Sequence, residues 1–205
     1  HYYYIGVNKI WLVIGGIFSA LEPLAFLAMA LFAVNMYRKG EKNHPNKLAL
    51  YWTIGASIVS FIGAGLLGFA HTLPQTNMYT HGTLVTAMHG HLAFWGAYAM
   101  IVLAIISYAL PNLTGRKRYD SGYGRMAFWL SNIGMLGMTV AFGVAGVAQV
   151  YLERKMKMDF MDVQNEISIH FVVLILCATM FTVGISLFIY DFIKHGKPTD
   201  EALEA

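Results

Sequence analysis

Charged side chains are scarce in this sequence. Only 12% of its 205 residues are Asp, Glu, Lys or Arg, about half of the roughly 25% usual in a soluble domain. A chain so poor in charge cannot cover a water-facing surface, so most of its surface faces lipid. Cysteine is nearly missing as well. The one cysteine, Cys177, lies in an apolar run, forms no intrachain disulfide and reads as a small buried apolar residue. No basic patch stands out. The net charge of +3 is spread over short loops, which points to membrane topology rather than nucleic-acid binding. There is no soluble domain, low-complexity region or internal repeat. The opening His1-Tyr2-Tyr3-Tyr4 has neither a methionine nor a signal-peptide pattern, and reads as a cut through something longer.

What the sequence does have is apolar length. About 20 apolar residues cross a bilayer as a helix, and five segments are long enough. They run from about Ile10 to Tyr37, Leu48 to Ala70, Gly82 to Leu110, Tyr123 to Leu152 and Ile167 to Ile193. The expected fold is therefore an all-α integral membrane module over residues 1–205. Glycines cluster inside the spans, as Gly63, Gly65 and Gly68, then Gly134 and Gly137, then Gly143 and Gly146. Such spacing suits close helix packing. Arg38, Lys39, Lys42 and Lys47 mark the first loop and Arg116, Lys117 and Arg118 the third, while His71 to His81 has no Lys or Arg. The positive-inside rule then puts the first and third loops and the C-terminus in the cytoplasm, and the second loop outside. The fourth loop dissents: expected outside, it carries Arg154, Lys155 and Lys157, with Glu153, Asp159 and Asp162 beside them.

The third span holds His89-Gly90-His91. At 3.6 residues per turn these histidines point about 200° apart. They cannot share one metal from one helix face, which needs a spacing of three or four. One helix can instead serve two separate irons, one on each flank, since imidazole is a standard axial haem ligand. Gly90 removes a side chain where two macrocycles would crowd the helix. The bland alternative is a pair of hydrogen-bonded core histidines, but ionisable groups inside a span are expensive and usually functional.

A carboxylate lies within the first span, in Ser19-Ala20-Leu21-Glu22-Pro23. Pro23 breaks the local hydrogen-bond ladder. The pair predicts a bent helix with the Glu22 carboxyl aimed inward, as a proton carrier, an electrostatic partner of a metal site, or a structural acid. His71 with Thr72, and His81 with Gly82 and Thr83, flank the uncharged loop and could bond haem propionates near the outer surface. Asp191 is expected to pair with Lys194 or to face water. A transporter with a His and Glu proton relay is the reading from another class; it predicts no haem.

Taken in order, Phe18-Ser19-Ala20-Leu21-Glu22-Pro23, His71-Thr72-Leu73, Tyr79-Thr80-His81-Gly82-Thr83 and His89-Gly90-His91-Leu92-Ala93-Phe94 resemble the large, catalytic subunit of bacterial nitric oxide reductase, in the haem–copper oxidase superfamily. The resemblance runs over nearly the whole chain. It implies the last five spans of a twelve-helix bundle, with the N-terminal part of the subunit missing. It implies reduction of two NO to N2O and water at a haem b3/non-haem iron centre fed by haem b. It makes His89 the ligand of haem b3, His91 one ligand of haem b, and His1 a ligand of the non-haem iron FeB. Glu22 would serve charge balance or proton supply, and Thr72 and His81 would lie near the haem propionates and a calcium site. It further implies the bacterial cytoplasmic membrane, with a small membrane-anchored cytochrome c subunit or a quinol as electron donor. An oxygen-reducing, cbb3-like oxidase subunit is the sibling alternative.

Overall fold

The computed structural model describes residues 8–40, 46–115 and 121–195. Within them the chain is helical, without a strand. Five helices are long and apolar enough to cross a membrane, and the protein is a multi-pass membrane protein. The first span comprises Lys9–Ser19 and Glu22–Lys39. The second is Lys47–Thr72, the third Leu84–Leu113, the fourth Gly122–Lys155 and the fifth Ser168–His195. Short helices, Pro74–Thr80 and Phe160–Glu166, fill the second and fourth loops.

Each end has a local cause. The first span breaks at Ala20 and Leu21, and Pro23 stands in the first turn of the helix that follows, where its missing N–H costs nothing. Asn46 caps the second span by accepting the Ala49 N–H at 3.0 Å, and its amide donates to the Ser107 carbonyl at 2.7 Å. Ser121 caps the fourth by accepting the Gly124 N–H at 2.8 Å. The third span starts at Thr83, whose hydroxyl accepts from the Val85 N–H at 3.3 Å. The Leu84 N–H, also without a helical partner, donates to Oε1 of buried Gln149 at 2.9 Å. The fourth span therefore fixes where the histidine-bearing span begins.

The spans pack on an aromatic centre. Trp52 is fully buried and meets Trp95, Phe128 and Phe188 edge to face, at centroid distances of 6.1, 5.1 and 5.8 Å. One ring thus joins the second, third, fourth and fifth spans. Trp95 donates its indole N–H to Asn132 at 3.1 Å. Glycines bring backbones together around this centre. A Cβ on Gly96 would come within 2.6 Å of the Ser60 nitrogen, and one on Gly146 would collide with the Val85 nitrogen. These approaches lock the third span against the second and the fourth.

Asp191 differs from expectation. It is 1% exposed rather than facing water, and it is held by the Ser121 hydroxyl and by His195 Nδ1. Lys194 places its ammonium over the Tyr123 ring at 5.1 Å. The buried carboxylate thereby ties the end of the fifth span to the cap of the fourth.

Candidate haem-ligating site

The second span is not a regular α-helix throughout. Residues Phe61–Leu67 form a π turn, a widened coil that displaces the backbone hydrogen-bond register and recurs at functional sites. Gly63 lies in it. A Cβ there would sit 2.7 Å from the Leu92 carbonyl carbon and the Ala93 nitrogen, so only glycine permits this approach to the third span. The Gly63 carbonyl accepts the Nδ1–H of His89 at 2.9 Å. That bond fixes the tautomer and leaves Nε2 as the lone-pair nitrogen.

His91 solves the same problem within its own helix. Its Nδ1–H donates to the Ala87 carbonyl at 2.8 Å, and the exposed ring again keeps Nε2 free. The two imidazoles leave opposite flanks of the third span. His89 faces the second span, while the His91 ring meets Phe142 of the fourth at 4.9 Å. A Cβ on Gly90, between them, would have nothing within 4 Å.

Three further groups gather on the His89 flank. The ring of His71 stacks on that of His89, with centroids 4.9 Å apart and planes at 24°. Gly68 leaves a cradle between His89 and Glu22. A Cβ on Gly68 would stand 3.4 Å from His89 Cε1 and 3.9 Å from Glu22 Oε2. Glu22 is exposed among the described residues rather than enclosed as the bent-helix reading expects. Its carboxylate nevertheless turns toward the same point as His89.

The other candidates are dispersed. Thr72 is buried and its hydroxyl turns back to the Phe69 carbonyl at 2.7 Å. His81 is exposed on the rim, after the Pro74–Thr80 helix. His1 lies outside the described residues. Among the described residues no group of three or more His, Cys, Asp or Glu could hold a metal ion by itself. Among the described residues the third span itself therefore presents one imidazole to each flank, His89 beside the His71 ring and His91 beside Phe142, each with Nδ1 engaged by a carbonyl. That donor set fits axial ligation of a haem iron on each flank.

Sequence reading missed Gly63 and His71 as neighbours of His89. The cluster Gly63, Gly65, Gly68 was the available signal, but it marks close packing without saying what the freed carbonyl receives. Gly63→Ala has a definite expected sign. Ala in place of Gly gains about 0.5–1 kcal/mol in an ordinary helix, but overpacking a tight contact costs about 1–3 kcal/mol. With backbone only 2.7 Å away, overpacking wins. The variant should melt several degrees lower in thermal unfolding of the purified protein.

Comparison with known proteins gives consistent matches. Residues 1–183 match the family model described as cytochrome c and quinol oxidase polypeptide I. The chain is 44% identical to a nitric oxide reductase subunit of Stutzerimonas stutzeri, over 96% of this chain and 43% of that protein. It is 26% identical to a probable cytochrome c oxidase subunit 1 of Bradyrhizobium diazoefficiens, over 48% of this chain and 14% of that protein. The chain thus spans less than half the length of either relative.

Proposed function

The chain belongs to the cytochrome c and quinol oxidase polypeptide I family, and from that premise we propose that it serves the catalytic subunit of a nitric oxide reductase. Membership implies an oxidoreductase of the bacterial cytoplasmic membrane with haem and iron centres. The finer reading rests on one observation above all. His89 and His91 leave opposite flanks of one helix with Nδ1 bonded to a carbonyl and Nε2 free.

His89 is assigned to the high-spin haem b3 and His91 to the low-spin haem b. When bound, the haems and the non-haem iron FeB supply the electrons and the site at which two NO, two protons and two electrons become N2O and water. The chain's own residues hold and orient. Gly63 fixes the His89 ring through its carbonyl, and Ala87 does the same for His91. Glu22, near Gly68 and His89, is assigned to hold a proton or balance charge at that centre. His1 is assigned to FeB, and Thr72 and His81 to the neighbourhood of the haem propionates and calcium. The ligands that complete these centres are to be sought in polypeptide outside this chain, as is the electron donor, a cytochrome c subunit or a quinol.

Identity of 44% over nearly the whole chain, against 26% over about half, favours NO over oxygen as substrate. Metal analysis of the purified holoenzyme, with gas analysis of its product, tests this. Iron without copper, and one N2O per two NO consumed, is the expected result. Copper in stoichiometric amount with oxygen consumption would establish the oxidase reading instead.

A further inference from the structure

Three features of the bundle lie outside the roles assigned above: the buried Asp191 clamp, the apolar groove between the first three spans, and His71. The clamp ties two helix ends together, and nothing in the structure shows what covers the groove. His71 carries an inference.

His71 is 5% exposed, deep enough that its polar atoms need partners. Its Nδ1–H donates to the Leu67 carbonyl at 2.8 Å. Its Nε2 is buried and bonds nothing. An apolar side chain of similar size would fill this place without leaving a buried nitrogen unpaired, so volume alone does not explain an imidazole. The ring offers one anchor and one flat face. The Nδ1 anchor sets the plane, and the face lies on His89 at 4.9 Å and 24°. Gly63 holds the other side of the relation, through the bond to His89 Nδ1 at 2.9 Å. The carbonyl fixes one nitrogen of His89 but leaves the ring free to rock about that bond. A second, nearly parallel ring removes this freedom.

We propose that His71 is a positioning residue for His89, its anchored ring face setting the rotation of the imidazole that is to ligate the high-spin haem iron. The inference rests on the assignment of His89 made above. Aiming a ligand through a packed neighbour is a recurrent device at metal sites, and small losses of aim are costly. The stack also explains why the second span carries both Gly63 and His71 in its second half. One contributes a carbonyl and the other a face to the same ring of the neighbouring helix.

The test uses the haem-loaded holoenzyme and four variants: His71→Ala, His71→Leu, His71→Phe and His89→Ala. The direct readout is the iron–histidine stretching band of the ferrous high-spin haem in resonance Raman spectra, with haem content measured alongside. His71→Ala and His71→Leu should shift and broaden that band at full haem content and slow NO turnover about tenfold. His71→Phe restores a ring face without the nitrogens, and should keep the band near its wild-type position and turnover within about twofold. Should His71→Leu match His71→Phe, the ring face is irrelevant and the proposal fails. An unchanged band in His71→Ala overturns it as well. If instead His89→Ala retains the wild-type band, the assignment of His89 itself is wrong, and that failure is recognisable because it does not depend on His71.

Discussion

His89→Ala in the holoenzyme is expected to abolish NO consumption while the low-spin haem remains visible. Loss of a group that merely orients a metal ligand typically costs 10–100-fold, so loss of the ligand itself should cost more than about a hundredfold. The selectivity of the loss is the informative part. The His89 ring lies on the flank shared with His71, Gly68 and Glu22, whereas the His91 ring meets Phe142 on the other. Removing one imidazole therefore leaves the other flank intact. The substitution should also preserve the fold. His89 is only half-buried, and its hydrogen bond goes to Gly63. Visible and electron paramagnetic resonance spectra of the purified variant, taken with turnover, check this outcome. Loss of both haem signals together would mean that the two sites are not separable in this way.

His91→Ala should give the complementary phenotype. The low-spin signal should vanish, the high-spin haem should stay, and turnover with the natural electron donor should again fall more than about a hundredfold. Its intrahelical bond to Ala87 and its exposed position mean that few packing contacts are lost. A variant that keeps a full low-spin spectrum refutes the assignment of His91.

Much of this architecture is legible in the sequence, because the strongest constraints are local. A bilayer demands about 20 apolar residues per crossing, and five such runs stand out against loops marked by Arg38, Lys39 and Lys47 or by Glu153 and Arg154. The opposite aim of His89 and His91 follows from helical pitch alone. The break near Glu22 is announced by Pro23.

What escaped depends on which spans lie side by side. The π turn at Phe61–Leu67 has no reliable signature in residue types, and its carbonyl finds His89 across 26 positions of sequence. Asp191 has an obvious local partner in Lys194, yet bonds Ser121, 70 positions away, because the end of the fifth span packs on the start of the fourth. His71 reads as a residue of the outer surface, since the loop after it is uncharged. Its burial comes from the Pro74–Thr80 helix folding back on it, where Asn77 donates to the His71 carbonyl, and from its ring stacking on His89 of the third span. Glu22 shows the converse. Its approach to His89 was foreseeable only as an inward direction, and among the described residues it remains exposed.

The central claim is that one helix presents two axial ligands to two different haem irons. Quantifying haem per polypeptide in the wild-type holoenzyme, together with the spin state of each haem by magnetic circular dichroism, tests it most directly. The account predicts two b-type haems per catalytic subunit, one low-spin and one high-spin, each lost separately with His91 or His89. A preparation with turnover but a single haem, or with two haems that both survive the double replacement of His89 and His91 by alanine, would contradict it.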